Sequence, residues 1–478
     1  MHVLLIKRID KAQDGERAAK ARAKGHKKPE TLPVGPGLET SWQRRITTLM
    51  MGYHQKGGTE MRLRKVLVVT VFAAFAVALA GGSAFSAESV SKIKVGLMFG
   101  LTGAASPVGP VQLQGAKLAV KEINNKGGVN FGGKKIPLEF VVKDDETKAD
   151  IAIRRYRELA TEDKVHGVVA STFAPIAAAL NKEVHKIPTV HFAACVAPIA
   201  MFKKGDLAPS TFGILGDAYS IGFAGAAYII NKLGLKNIYF FAPAYAFGWD
   251  QYAGAKDAAA KYGAKMEYIE APVGTGDFSS YILKIGAAKP DIVMMAQWGV
   301  DAITVLKQSN ELGLNKKTKI WFNWMTQVFG SGVPAEALEG VYSLMFWNWN
   351  MDGFEDATVV KATKEFVAKF QKEYGANEVP DPYAAVAYIS VKELVRGIEM
   401  AQSVDTKAVT AALMKSPKFD SEKGPGVYRE DHHALFKYGA FVVVGKAAKD
   451  RKTPKDLVKV IGAYTGEDYL PTLKSLGY

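Results

Sequence analysis

The chain has 478 residues, of which 48% are hydrophobic and 23% charged, and its formal net charge is +15. This length exceeds one compact domain of ordinary size, so we expect two lobes. The first 60 residues carry +6 of this charge and residues 61–87 carry +3, and the remaining +6 is spread without blocks. That distribution is typical of a solvated surface and argues against nucleic-acid binding.

The first element in chain order is an apolar run with a basic start. From Met61, the sequence MRLRKVLVVTVFAAFAVALAGGSAFSAES has basic residues, then an apolar run, then small residues. This order predicts a secretory signal peptide over 61–87 and a periplasmic mature protein, with an uncleaved N-terminal anchor as the alternative. Residues 1–60 show no periodic apolar face, and we expect them to be disordered or not translated.

From residue 92 onward, apolar strands alternate with amphipathic helices. The first array of predicted strands is IKVGLMFG, IPLEFVVKDDE, HGVVAS and IPTVHFAA; the second is NIYFFAP, KMEYIEAPV, DIVMMAQ and KIWFN. Apolar strands separated by helices are typical of parallel sheets that are covered on both faces. Two successive arrays predict an α/β fold with two doubly wound parallel-sheet lobes. Helices over 358–375, 382–401 and 405–415 and the strand KYGAFVVV follow.

Three loops that follow strands of the first array consist of small residues. They are LTGAASPVG, ASTFAP and FAACVAP. In open parallel sheets, ligands bind beyond the carboxyl ends of the strands, where helix N-termini present free N–H groups. Small residues let a ligand approach the backbone, and hydroxyl and N–H groups suit a carboxylate. The three loops together therefore favour an anion-binding face over three unrelated turns.

Aromatic residues follow strands of the second array. Six of the seven tryptophans lie between 249 and 349. The aromatic residues at predicted strand ends are Tyr245, Phe247, Trp249, Trp298 and Trp324. An aromatic wall at neighbouring strand ends predicts half of a binding cleft. The alternative is that aromatic rings fill the core, and we expect this of Trp321.

The sequence predicts no catalytic site, no metal site and no cofactor. GVNFGGKK falls short of a phosphate-binding loop, because Lys135 replaces the required Ser or Thr and a strand follows it, so we expect a turn. The adjacent histidines of EDHH point to opposite sides of an extended segment, which favours a solvated loop. His191 and Cys195 have no orienting carboxylate nearby in the sequence. As the only cysteine, Cys195 also excludes an internal disulfide.

The whole pattern resembles the leucine/isoleucine/valine-type periplasmic solute-binding proteins of ABC importers, which have the type I periplasmic binding protein fold. The resemblance covers about 92–445 and rests on IKVGLMFGLTGAASPVGPVQLQGAKLAVKEINNKGG, GVVASTFAP, FGILGDAYSIGFAGAAYIINKLGLKNIYFF and AFGWDQYAGAKDAAAKYGAK. It implies two lobes joined by a three-crossing hinge that closes on a ligand. The implied lobes are 92–213 plus 344–435 and 214–343 plus 436–478.

The resemblance also implies ligand contacts. In this family the first lobe holds a carboxylate with hydroxyl and N–H groups at two strand ends, and the second lobe adds aromatic contacts. The matching first-lobe positions are Ser171, Thr172, Ala194 and Cys195, with Ser106 lining the first loop. The matching second-lobe positions are Tyr245 or Phe247 and Trp298.

One departure from the family bears on the ligand. Amino-acid binders of the family hold the α-ammonium group with an acidic residue after the strand that matches KIWFN, whereas this sequence has NWMTQV there. A buried ammonium group without a counter-charge is costly. The ligand therefore either lacks that group or is held by Asn323 and a cation–π contact with Trp298 or Trp324. This favours a small apolar or aromatic carboxylate, or an amide, over leucine.

The sequence thus predicts an extracytoplasmic substrate-binding protein rather than an enzyme. It would act as a monomer that binds a branched-chain amino acid, or a related small carboxylate or amide, and delivers it to an ABC permease in the inner membrane. The alternative is a ligand-sensing receptor domain that signals through a partner protein. An extracytoplasmic hydrolase would need a nucleophile with its base, and the sequence shows neither.

Overall fold

The computed structural model describes residues 90–478. The predicted signal peptide over 61–87 and the N-terminal residues 1–60 lie outside the described residues. Within the described range, no helix combines the length and the apolar character that crossing a bilayer requires.

The first sheet has five parallel strands. They are β1 (Ile93–Phe99), β4 (Leu138–Asp144), β5 (Gly167–Ala170), β6 (His191–Ala193) and β7 (Thr211–Gly213), in the spatial order β4-β1-β5-β6-β7. Three helices connect them: α1 (Gly109–Asn125), α2 (Ala149–Arg157) and α3 (Ala174–Lys186). Strand β5 is buried at every residue, as expected for a central strand covered on both faces. We call this sheet and its helices the first lobe.

The second sheet has seven strands in the order β17-β16-β12-β11-β10-β8-β9. They are β8 (Asn237–Pro243), β9 (Lys265–Ala271), β10 (Ile292–Met295), β11 (Lys319–Phe322), β12 (Tyr342–Met345), β16 (Tyr438–Gly445) and β17 (Val458–Thr465). The helices of this lobe are α4 (Ala218–Asn231), α5 (Ala246–Tyr262), α6 (Ser279–Ala288), α7 (Val300–Glu311), α8 (Gln327–Ser331) and α9 (Ala335–Leu338). The strands from β8 to β12 pair in parallel, whereas β16 and β17 pair antiparallel to their neighbours. We call this the second lobe.

The segment between β12 and β16 returns to the first lobe. It contains the helices α10 (Ala357–Tyr374), α11 (Pro382–Ala401) and α12 (Thr406–Lys415), followed by a small sheet of β13 (Lys418–Ser421), β14 (Gly424–Tyr428) and β15 (Ala434–Phe436). Helix α11 packs so closely on α1 that a Cβ atom on Gly115 would lie 1.9 Å from the carbonyl oxygen of Ala384. The last helix, α13 (Gly466–Tyr469), follows β17.

The predicted α/β fold with two doubly wound parallel-sheet lobes is confirmed. Local differences arise where strands are short and polar. The GVNFGGKK segment is more than a turn: β2 (Val129–Phe131) and β3 (Lys134–Ile136) form a hairpin. Gly132 and Gly133 link them with φ values of 59° and 74°, which a two-residue hairpin turn requires.

The expectation that EDHH forms a solvated loop is wrong. Asp431 and His433 are buried, and the ring of His433 lies on that of Phe202. Burial alone would raise the pKa of Asp431, but hydrogen bonds from His433 and Arg429 lower it overall. The segment is buried because the chain here pairs with Gly213, where another segment leaves the first lobe.

The close contact between α1 and α11 predicts the effect of a single methyl group. In Gly115→Ala the added Cβ would overlap the Ala384 carbonyl, so the helices must separate. We expect the free energy of unfolding to fall by about 1–3 kcal/mol. Gly286→Ala is the matched control, because its Cβ would meet only Leu314, at 3.6 Å, and alanine favours the helix over glycine. Urea unfolding measures both variants, and equal midpoints would contradict the close contact.

Candidate functional site

A small cavity lies between the two lobes at the carboxyl ends of the strands. Its lining residues are Thr172, Phe173, Ala174, Val196 and Tyr383 on the first-lobe side and Tyr245, Phe247 and Trp298 on the second-lobe side. None of these eight described residues carries a charge, and five are aromatic. The free space is about 10 Å³, which is room for about one water molecule. The site is therefore aromatic, uncharged and closely packed.

The residues that the sequence predicted as ligand contacts fall into two groups. Thr172, Tyr245, Phe247 and Trp298 line the cavity. The others lie outside its lining: Ser106 after the short helical segment Gly103–Ala105, the buried Ser171, Ala194 and Cys195 in the first-lobe loops, and the buried Asn323 and Trp324 after β11. Trp249 is 52% exposed and donates from its indole to Glu270 at 2.8 Å, and Trp321 is buried in the core.

Gln112 organises the first-lobe loops and was not among the residues predicted from the sequence. Its side-chain amide donates to the carbonyl oxygen of Ala194 at 2.7 Å and to that of Ser171 at 3.3 Å. Its amide oxygen accepts from the hydroxyl of Thr172 at 2.6 Å, and the same hydroxyl accepts from the N–H of Gly100 at 3.0 Å. The sequence did hold a signal, since Gln112 is a polar residue on the buried face of α1.

The buried thiol of Cys195 and the buried imidazole of His191, both near these loops, are uncharged. The hydroxyl of Ser171 lies 3.5 Å from the Cys195 sulfur. Burial raises the pKa of the Cys195 thiol to about 12, and it lowers the pKa of His191 to about 4. The thiol is therefore protonated at neutral pH, and the imidazole is uncharged. Among residues 90–478 there is also no group of three or more His, Cys, Asp or Glu arranged to hold a metal ion.

Amide side chains lie at and near the carboxyl end of β11 in the second lobe. The Asn323 side chain donates to the Gln251 amide oxygen at 2.7 Å. Within the described part of the chain, the Asn323 Oδ1 atom and both polar side-chain atoms of Gln297 have no hydrogen-bond partner. The amides can satisfy polar groups but carry no charge to balance an ammonium ion.

Tyr383 contributes a phenol to the cavity. This residue was also not among those predicted from the sequence. Burial raises its pKa, while the neighbouring indoles of Trp298 and Trp324 act in the opposite direction. Burial also raises the pKa of Tyr245 well above the ordinary value. Both phenols therefore keep their protons at neutral pH and can donate hydrogen bonds into the cavity.

Three helices begin at the cavity without a side-chain cap. Helix α3 begins after Phe173, α5 begins after Tyr245, and α7 begins after Gly299, next to Trp298; in each of the three, the side chain of the N-cap residue accepts no capping hydrogen bond. Uncapped helices occur elsewhere too, for example α2, so the relevant feature is that three converge on one cavity. The helix dipoles and the remaining free N–H groups favour an anion there; in α3 only Ala174 supplies one, because Pro175 has no N–H and Ile176 donates to the carbonyl of Phe173.

Direct contacts between the lobes surround the cavity. A Cβ atom on Gly299 would lie 2.3 Å from the carbonyl oxygen of Ala104, so these two loops meet backbone to backbone. The N–H of Ile199 in the first lobe donates to the Asp250 carboxylate of α5 at 3.3 Å. Asp381, just before α11, accepts from the N–H of Val328 in α8 at 3.0 Å. The lobes are therefore closed on each other around the aromatic cavity.

Comparison with known proteins gives consistent matches over this range. The sequence profile of a family described as periplasmic binding protein matches residues 92–449. The Leu/Ile/Val-binding protein homolog 7 of Brucella abortus (strain 2308) is 24% identical over 349 residues, which is 71% of this chain and 84% of that protein.

Solved structures match as well. An amino acid ABC transporter substrate-binding protein from Pseudomonas fluorescens Pf-5 has a TM-score of 0.71 and 25% identity, over 81% of this chain and 98% of that one. A solute-binding protein of an ABC transporter from R. palustris, in complex with benzoate, has a TM-score of 0.67 and 21% identity, over 78% and 96%.

The inter-lobe carboxylate of Asp381 predicts a pH dependence of stability. Burial raises its pKa to about 6, although N–H groups, including those of Tyr383 and Val328, act against the rise. Folding thus raises this pKa from its ordinary value of 3.8. The contribution of Asp381 to stability is then fully present below pH ~4 and is lost as the pH rises through about 6.

Asp381→Asn should remove the pH-dependent contribution of this carboxyl group to stability, because asparagine does not titrate. The difference between the two pKa values corresponds to roughly 3 kcal/mol of stability. Between pH 4 and pH 7, the free energy of unfolding of the wild type should therefore fall by about that much more than that of the variant. Urea unfolding at both pH values measures the difference, and subtracting the variant isolates Asp381 from other titrating groups. Identical pH dependence in the two proteins would contradict the raised pKa.

Proposed function

The chain belongs to the periplasmic binding protein family, with the type I fold, and on that premise we propose that it is the substrate-binding protein of an ABC importer. The family resemblance seen in the sequence is confirmed. Members of this extracytoplasmic family bind solutes and are not enzymes. Our proposal adds the class of ligand and the way in which it is bound.

The observation that carries the proposal is the convergence of three uncapped helix N-termini on an aromatic cavity. The N–H groups at the starts of α3, α5 and α7 and the phenols of Tyr245 and Tyr383 are hydrogen-bond donors. They suit a carboxylate, which only accepts hydrogen bonds. The rings of Tyr245, Phe247 and Trp298 suit an apolar or aromatic body. We therefore propose a small apolar or aromatic carboxylate of the benzoate type as the ligand.

An α-amino acid fits the cavity less well, because no lining residue is acidic. Asp381 has an electrostatic effect on Tyr383, and it already accepts from the N–H groups of Tyr383 and Val328. Asp301, in the first turn of α7, has such an effect on Tyr245. Its Oδ2 atom already accepts from the N–H of Gly274 at 2.8 Å. Similar proteins include examples of both ligand classes: the P. fluorescens protein is named for amino acids, and the R. palustris protein is in complex with benzoate.

We propose that binding works by closure of the two lobes, over 92–213 plus 344–435 and over 214–343 plus 436–478. A ligand that contacts both lobes stabilises the closed form. The closed protein, a monomer exported to the periplasm by the signal peptide predicted at 61–87, then delivers the ligand to an ABC permease in the inner membrane.

Calorimetry with benzoate and leucine tests the ligand class. We expect benzoate to bind and leucine to bind at least tenfold more weakly, because the cavity has donors for a carboxylate and no lining acid for an ammonium group. Asp301→Asn is the matched variant: it should leave benzoate affinity nearly unchanged. If leucine binds at micromolar concentration and Asp301→Asn abolishes that binding, the ligand is an amino acid and our preference is wrong.

Replacing one tryptophan tests the aromatic wall. Trp298→Ala should weaken benzoate binding by about 1–3 kcal/mol, because it removes a stacking surface at the centre of the cavity. Trp249→Ala is the control, since that ring is exposed and paired with Glu270 outside the cavity, and we expect no effect on affinity. Equal affinities of wild type and Trp298→Ala would exclude Trp298 from the binding site.

A further inference from the structure

Five aromatic rings form a continuous row through the cavity. In order they are Phe247, Tyr245, Phe173, Trp298 and Phe329, with neighbouring ring centroids 5.9, 5.0, 6.1 and 6.2 Å apart. Of these five, Phe173 alone comes from the first lobe. Its ring lies between Tyr245 and Trp298, tilted 35° and 31° to them. Protein atoms alone therefore make an aromatic contact that joins the two lobes.

The Phe173 ring and a ligand ring compete for the same space. The free space beside it is about 10 Å³, far too little for a benzoate ion. Benzoate has about the size of a phenylalanine side chain. A ligand stacked between Tyr245 and Trp298 must therefore take the place of the Phe173 ring.

Phe173 is less tightly enclosed than the residues beside it, although it also packs against the hydrophobic core. It is half-buried, whereas its neighbours Thr172 and Ala174 are fully buried. It is the N-cap residue of α3, with φ −122° and ψ 130°, so it lies outside the helical turns that restrict χ1. A rotamer change that removes the ring from the row would therefore not have to unwind the helix.

We propose that Phe173 is a built-in competitor for the ligand. Its ring closes the two lobes on each other, and a ligand binds by displacing the ring and stacking in its place. The part of this inference that concerns the ligand rests on the proposed function. The part that concerns the contact between the lobes does not. It makes Phe173 the residue that limits both affinity and the size of ring that the site accepts.

Closure is tested without any ligand. Small-angle scattering of the purified wild type, Phe173→Ala and Phe173→Leu should give a larger radius of gyration for both variants, because the stacked inter-lobe contact is lost. Phe140→Ala is the control, since Phe140 is an exposed ring on β4. Unchanged scattering in both Phe173 variants would overturn the proposal. Phe173→Leu retains apolar volume, so the test survives if the alanine variant folds poorly.

Competition is tested by calorimetry with benzoate and 2-naphthoate. Loss of a competing aromatic pair should tighten benzoate binding in Phe173→Ala by roughly two- to tenfold. It should also give measurable binding of the two-ring 2-naphthoate, which the wild type should bind more weakly. Weaker benzoate binding in both Phe173 variants would show that the ring stacks on the ligand instead, and would overturn the proposal.

The two measurements separate this inference from the proposed function. If neither probe binds wild type or variants while the variants still scatter as larger particles, Phe173 closes the lobes as proposed and the ligand class is wrong. If benzoate binds with equal affinity to wild type and both variants, the ligand class stands and the competitor is excluded.

Discussion

The proposed binding of a carboxylate at this cleft depends on backbone N–H groups at helix starts whose N-cap residues make no side-chain capping bond. Parallel topology places the start of α3 at the carboxyl edge of the first sheet and the starts of α5 and α7 at the carboxyl edge of the second. The three starts come together because these two edges face each other across the cavity. Gln112 adds to this by engaging the carbonyl oxygens of Ser171 and Ala194. Those oxygens would otherwise repel an anion, so their engagement leaves a surface of donors.

The fold could be predicted from the sequence because its signals are local. Apolar strands and amphipathic helices repeat along the chain, and the predicted helices at 358–375, 382–401 and 405–415 match α10, α11 and α12 to within one residue at each end. The short strands β13, β14 and β15 were missed: charged residues interrupt β13, two glycines and a proline interrupt β14, and β15 has only three residues.

The site could be predicted only in part. The loops of small residues and the aromatic residues at strand ends predict where the cavity lies. Which aromatic rings line it depends on how the two lobes pack against each other. Nothing in the local sequence distinguishes Phe173 or Tyr383 from core residues. Burial of Asp431 and His433 likewise follows from a contact with a distant segment of the chain. The hydroxyl of Thr172, expected to meet a ligand, is engaged by Gln112 and Gly100, and no pattern along the chain indicates that pairing.

The contact between Gly299 and the carbonyl of Ala104 has a mechanical consequence. Because two backbones meet there without an intervening side chain, the proposed closure would end where these loops touch, at a fixed angle between the lobes. With any ligand small enough to let these loops touch, the closed protein would then have the same outer surface. A membrane partner that recognises this surface would sense the endpoint of the movement, and the choice among solutes would rest entirely with the interior.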